Sequence, residues 1–154
     1  MTTTIDPFKK GTQVEVSLEE EGFRGSWFSA TVISQFPNRY NPNKSRLLLE
    51  FHNLTTSSSD DTPLQQTVDI ILVRPTPPRE SRRHFNVGED VDAFHDDGWW
   101  EGNVTAVLNI DGGGRRYSVY FRCSREQIDF SESQLRLHRE WVYGIWIPPL
   151  EDHS

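Results

Sequence analysis

The chain has 154 residues, of which 34% are hydrophobic, and a formal net charge of −7, which suits one ordinary domain or two small ones without a large core. It contains no apolar run of about 18 residues, so no membrane span is expected, and its first residues lack the features of a signal peptide. A single cysteine, Cys123, excludes a disulfide within the chain and favours a reducing compartment.

Four short segments occur twice, in the same order, along the chain. In the first half they are 10–16, 27–32, 46–51 and 73–74, and in the second half 87–93, 99–104, 116–121 and 135–136. Apolar and polar residues alternate within the segments, which is typical of half-buried strands. Gly, Asn and Asp turns separate them, and such short strands predict antiparallel meanders that curl into small barrels. Four matches in one order indicate an internal duplication.

These patterns predict an all-β protein with two small antiparallel β-barrels in tandem. We place the first barrel at residues 8–76, a linker at 77–84 and the second barrel at 85–149. The polar stretch 52–67 is predicted to be a loop. The Trp-rich stretch 141–146 is too apolar for a free end, and we expect it to add a strand or to pack against the first barrel.

Enzymatic or metal chemistry finds little support in the sequence. The five histidines are scattered, and with one cysteine no zinc-ligand spacing occurs. His95, Asp96 and Asp97 enter a turn at Gly98, where Asp side chains serve the turn itself. We therefore expect a protein that is not an enzyme and that uses no cofactor and no metal.

The aromatic residues of the second unit form the most informative group. We expect Phe94 to end the first strand of this unit, Trp100 to face inward beside the following turn, and Tyr120 to reach the same rim from the third strand. Trp99 and Phe121 are further candidates for this rim. Ring faces around an opening attract a methylammonium group, which is cationic and weakly hydrated. The alternative is that these rings only close a small core. At the positions that match Phe94, Trp100 and Tyr120, the first unit has only one aromatic ring. It is therefore the weaker candidate for a methylammonium site.

The acidic residues are concentrated in the second half. Residues 85–154 hold six arginines against thirteen Asp and Glu residues. An acidic surface repels phosphate backbones and attracts basic polypeptides, although it can also serve solubility alone. We expect two acidic groups to read basic groups on a bound peptide. They are Asp96, Asp97 and Glu101 at the expected mouth, and Glu19, Glu20 and Glu21 on the long turn of the first unit.

The same segments resemble the plant Agenet domain. Residues 10–28 look like one Agenet domain, residues 87–102 look like its usual partner, and residues 138–146 resemble the end of such tandems. Agenet domains belong to the Tudor-like "Royal" group of small barrels, many of which read methylated lysine or arginine. The resemblance implies a nuclear plant protein whose tandem binds the histone H3 tail at the heterochromatic dimethyl-lysine mark. It also implies a monomeric tandem module within a longer protein.

Two other functions stay open at this point. Nucleic-acid binding requires a basic stripe with stacking aromatic residues. The basic run 79–83 is short, so direct nucleic-acid binding is not expected. A scaffold for an unmethylated protein partner would bury its rings against one another and leave no pocket at the mouth.

Overall fold

The computed structural model describes residues 7–18, 25–57, 60–79, 84–109 and 114–149. The chain divides into two compact units, residues 1–76 and 77–154. Within the described residues, no helix is long and apolar enough to cross a membrane.

The first unit is a small antiparallel barrel of five strands. Its strands are β1 (Gln13–Val16), β2 (Ser26–Phe36), β3 (Arg46–Ser57), β4 (Asp60–Asp69) and β5 (Val73–Pro75). They pair in the order β5-β1-β2-β3-β4, so the last strand returns to the first. The alternation seen in the sequence places one face of each strand inside. The core residues are Val14, Val16, Phe28, Ala30, Val32, Leu47, Leu49, Phe51, Val68 and Val73.

The second unit repeats this arrangement. Its strands are β6 (Asp90–His95), β7 (Gly98–Asn109), β8 (Arg115–Phe121), β9 (Glu126–Ser131) and β10 (Leu135–Leu137), followed by β11 (Glu140–Val142) and β12 (Ile145–Ile147). The barrel order is β10-β6-β7-β8-β9. The core residues are Phe85, Val91, Ala93, Val104, Tyr117, Val119, Phe121, Phe130 and Leu135.

The two copies agree in the details of their backbones. Gly11 and Gly88 have φ of +89° and +95°, the left-handed region that favours glycine, in the turn before the first strand of each unit. Each glycine N–H donates a 2.8 Å hydrogen bond to a strand carbonyl, that of Val32 in the first unit and of Val104 in the second. The pairing register shifts directly after both valines. The duplication predicted from the sequence is therefore a structural one.

The polar stretch 52–67 lies in a long hairpin, so the prediction of a loop is wrong. Strands β3 and β4 pair from Arg46 opposite Asp69 to Ser57 opposite Asp60, with register shifts on either side of Thr55. Most of the described side chains in this part are exposed, so no apolar alternation marks the strands. Threonine, which occurs at four positions between 55 and 67, is β-branched and favours extended backbone without any apolar pattern.

The Trp-rich stretch 141–146 lies in a separate hairpin formed by β11 and β12. Trp141 pairs with Trp146, and their ring centroids are 4.9 Å apart. The two strands form their own sheet, so the expectation that this stretch adds a strand to a barrel is wrong.

Candidate functional site

The turn between β6 and β7 determines which side chains reach the end of the second barrel. His95 pairs with Gly98, so the turn has only two residues, Asp96 and Asp97, with φ of +48° and +65°. Two successive left-handed residues are typical of the tight hairpin turn that matches the strand twist, and aspartate tolerates that conformation. The strand therefore continues to His95, one residue beyond the end expected at Phe94.

This additional strand residue brings His95 to the inner face beside Trp100. Trp100 pairs with Ala93, which is fully buried, and packs against the core of the second unit. Its indole Nε1–H donates a 2.6 Å hydrogen bond to the carbonyl oxygen of His95. The bond fixes the indole at the start of β7, next to the turn.

Two phenylalanines complete an aromatic group at this end, which we call the mouth cluster: His95, Trp100, Phe121 and Phe130. The rings of Phe121 and Phe130 meet edge to face at 5.9 Å, and those of His95 and Phe130 at 6.0 Å. The two phenylalanines are buried, whereas the His95 side chain is 37% exposed and Trp100 is half-buried. Phe121 and Phe130 thus form the buried base of the cluster. His95 and Trp100 form its outer edge, nearer to solvent.

Gly102 allows β7 and β8 to lie close together beneath the cluster. A Cβ atom at this position would clash with the side chain of Val119 and lie 3.1 Å from the carbonyl oxygen of Tyr120. The ring of Phe121 would be 3.2 Å away. The glycine therefore fixes the approach of the strand that carries Phe121 to the strand that carries Trp100.

The register separates two of the three expected cage residues from Trp100. Phe94 pairs with Trp99, and Tyr120 pairs with Asn103. Because side chains alternate along a strand, all of these lie on the face opposite to Trp100. The expectation that Phe94, Trp100 and Tyr120 share one mouth is therefore wrong. Phe121, expected as a possible rim residue, is on the Trp100 face, whereas Trp99 is not.

Trp99 contacts guanidinium groups of its own chain. The Cζ carbon of Arg136 lies 4.2 Å from the centroid of the indole, and that of Arg79 lies 5.2 Å away. Arg136 also donates from Nε to Oδ2 of Asp92 at 2.9 Å, and both side chains are buried. The Trp99 ring therefore already has cation–π partners.

The first unit contains the same combination of acid, tryptophan and arginine. Arg74 donates from Nη2 to Oε1 of Glu15 at 2.9 Å, and its Cζ lies 3.7 Å from the Trp27 centroid. Sequence reasoning missed this pair of buried ion pairs. The signal was present, since an acid, a tryptophan and an arginine occupy matching positions in the duplicated segments.

His138 forms a hydrogen bond with the buried Asp92–Arg136 ion pair of the second unit. Its Nδ1 lies 2.7 Å from Oδ1 of Asp92, and its Nε2 lies 3.6 Å from Glu101 and 3.4 Å from Glu140. Burial lowers the pKa of His138, but the hydrogen bond and charge of Asp92 and the two glutamates outweigh it, raising the pKa to about 9. The imidazole is therefore cationic at neutral pH.

The expected acidic residues fall into three groups. Asp96 and Asp97 form the turn beside the mouth cluster, and Oδ2 of Asp96 lies 3.3 Å from Nε2 of His95. Glu101 lies on the opposite face beside His138, so its placement at the mouth is wrong. The glutamates of the first unit's turn, 19–21, lie outside the described residues. No cluster of His, Cys, Asp and Glu that could hold a metal ion occurs in the described part of the chain.

The family can now be assigned. The sequence model of the Agenet domain family matches residues 11–78 of the chain and, a second time, residues 88–151. The chain belongs to the Agenet domain family. Its two Agenet domains follow one another as the duplication predicts, which confirms both the resemblance and the tandem of small antiparallel barrels.

Relatives and solved structures share this tandem. The chain is 45% identical over 148 residues to the Arabidopsis thaliana protein Agenet domain (AGD)-containing P1, covering 94% of this chain and 28% of that protein. It is 39% identical to DUF724 domain-containing protein 3 of the same plant, covering 94% of this chain and 20% of that protein. The chain thus spans less than a third of the length of each of these relatives.

Solved tandem Agenet structures have the same architecture. The crystal structure of Arabidopsis thaliana AGDP1 AGD34 matches with a TM-score of 0.78 and 38% identity, covering 91% of this chain and 88% of that one. The tandem Agenet domain 3-4 of ADCP1 matches with a TM-score of 0.74 and 36% identity, covering 91% and 86%.

Proposed function

We propose that the second Agenet domain reads methylated lysine and that the mouth cluster is its aromatic cage. The observation that carries the proposal is the position of Trp100 and His95 at the outer edge of the cluster, with Phe121 and Phe130 beneath. A methylated ammonium group is attracted to ring faces and loses little hydration on entering an apolar site. The carboxylate of Asp96 beside His95 adds an opposite charge at the opening.

The partner we propose is the tail of histone H3, bound in the nucleus at the heterochromatic dimethyl-lysine mark. Membership of a family with Tudor-like barrels and the net charge of −7 support a basic, methylated peptide. We assign to Asp96 and Asp97 the attraction of basic groups next to the methylated lysine. We extend this role to Glu19, Glu20 and Glu21, and the chain would act as one module of a longer protein.

Substitutions on the two faces of the second barrel test the cage directly. Trp100→Ala should weaken binding of a methylated H3 peptide by about 1–2 kcal/mol, roughly 5- to 30-fold, because one cation–π partner is lost. The matched control is Tyr120→Ala, which removes a 37% exposed ring on the opposite face and should leave binding unchanged. Calorimetric titration of both variants with methylated and unmodified peptides measures the two effects.

Because Trp100 also packs on the core, Trp100→Phe provides a variant that keeps a ring at the position. It should fold and retain part of the preference for the methylated peptide. The cage assignment would be wrong if folded Trp100→Ala protein kept the full preference, or if Tyr120→Ala lost it.

A further inference from the structure

The first Agenet domain has a basic end, on the side where β1 begins and β2 ends. The turn at residues 8–11 and the loop at residues 37–45 flank Phe36, the last residue of β2. The side-chain amide of Gln35 donates to the carbonyl oxygen of Phe8 and joins the two segments. The basic end carries five exposed cationic side chains: Lys9, Lys10, Arg39, Lys44 and Arg46.

This end differs in charge from the rest of the chain. Residues 8–10 and 35–46 contain five Lys and Arg residues and no Asp or Glu, within a chain whose net charge is −7. Arg46 is paired with Asp69 at 3.3 Å, and both of these side chains are more than half exposed. The other four cationic side chains are exposed to solvent and make no part of the core, so they can contact a partner molecule.

The loop of the basic end holds an aromatic ring in solvent. Oδ1 of Asn38 accepts hydrogen bonds of 3.0 Å from the backbone N–H groups of Tyr40 and Asn41. The N–H of Asn38 in turn donates to Oγ of the buried Ser45 at 3.0 Å. These bonds order the loop, yet the Tyr40 side chain is 99% exposed. At this exposure the ring of Tyr40 buries no surface that would stabilise the fold.

The duplication supplies an internal comparison. The second Agenet domain makes the equivalent turn with Asn86 and Val87 before Gly88, where the first has Lys9 and Lys10 before Gly11. The glycine makes the same 2.8 Å hydrogen bond in both. The backbone of the turn therefore does not require lysine side chains. Lys9 and Lys10 are a surface feature of the first domain that the second domain lacks.

We infer that the basic end binds the phosphodiester backbone of nucleic acid and that Tyr40 stacks on a base or packs on a sugar. Cationic side chains neutralise phosphates, and exposed aromatic rings supply the stacking surface for unpaired bases. An acidic polypeptide would pair with the cations, but it would not account for a fully exposed ring in the same loop as Arg39 and Lys44. The net charge of −7 alone would predict no nucleic-acid binding, but residues 8–10 and 35–46 contain no acidic residue, and Asp69 faces only Arg46 here. It does not depend on the methyl-lysine proposal.

The test measures binding of the whole chain to a labelled DNA duplex and to a labelled single strand of the same length. Fluorescence anisotropy is recorded between about 50 and about 200 mM NaCl, because phosphate contacts make affinity depend on salt. Arg39→Gln with Lys44→Gln should reduce the slope of log affinity against log salt by about 1.8 for the duplex or about 1.4 for the single strand. The matched control is Arg115→Gln with Arg116→Gln, which removes the same charge at the equivalent end of the second domain and should change little.

The Tyr40→Ala variant distinguishes the two forms of nucleic acid. A loss of about fivefold or more for the single strand identifies stacking on an unpaired base. A salt-dependent contact with the duplex that tolerates Tyr40→Ala would support the phosphate contacts and would overturn the role assigned to Tyr40. The inference is overturned if neither probe binds at the lowest salt, if the control variant loses as much affinity as the basic-end variant, or if poly-glutamate competes as well as DNA.

Discussion

Replacing Arg74 by methionine is expected to lower the free energy of unfolding by about 3–5 kcal/mol, because it removes one partner of a buried ion pair. The side chains of Arg74 and Glu15 are 2% and 0% exposed, and the guanidinium donates to one carboxylate oxygen from both Nε and Nη2. Without the guanidinium, the carboxylate stays buried in a site that disfavours its charge. Urea denaturation followed by tryptophan fluorescence measures the loss.

The control for this substitution is Arg46→Met, which breaks an ion pair whose side chains are 56% and 57% exposed. It should cost less than about 1 kcal/mol, because solvent screens an exposed pair. Replacing both members of the buried pair by apolar residues should recover much of the loss. Equal effects of Arg74→Met and Arg46→Met would show that burial of the Glu15–Arg74 pair has no energetic consequence.

Stability should fall as the pH rises from about 6.5 to about 9, by an amount of up to about 3 kcal/mol from His138 alone. The pKa of His138 is raised in the folded protein, so the folded state holds this proton more tightly than the unfolded chain does. Its contribution is therefore complete below the ordinary value of 6.5 and is lost as the pH passes about 9. The side chain is only 13% exposed, so solvent screens its contact with Asp92 weakly.

Denaturation curves at several pH values, compared between the natural chain and a His138→Gln variant, test this linkage. The variant should be less stable than the natural chain at pH 6.5 and should lose the dependence over this range. A natural chain whose stability stays constant between these pH values would contradict the proposed proton linkage.

The sequence predicted the fold because four of the five strands in each barrel lie at segments that the duplication repeats. Trp100 was correctly placed on the inner face, since a period of two residues needs no knowledge of the partner strand. The hairpin of β3 and β4 was missed because its exposed polar residues give no such period.

The site was harder to predict because it depends on one residue at a strand end. Ending β6 at Phe94 instead of His95 placed the wrong ring at the mouth, and only the pairing of His95 with Gly98 reveals the two-residue turn. The buried pairs depend on β5 and β10 returning to β1 and β6 over about 50 residues, a register that local patterns do not specify.

The most direct test of the proposed function is a titration of the whole chain with H3 tail peptides in which each lysine carries zero, one, two or three methyl groups. We expect tighter binding of a methylated peptide than of the unmodified peptide of the same sequence, with the largest gain for a dimethylated lysine. Equal affinity for all methylation states at every lysine, measured on the folded chain, would contradict it.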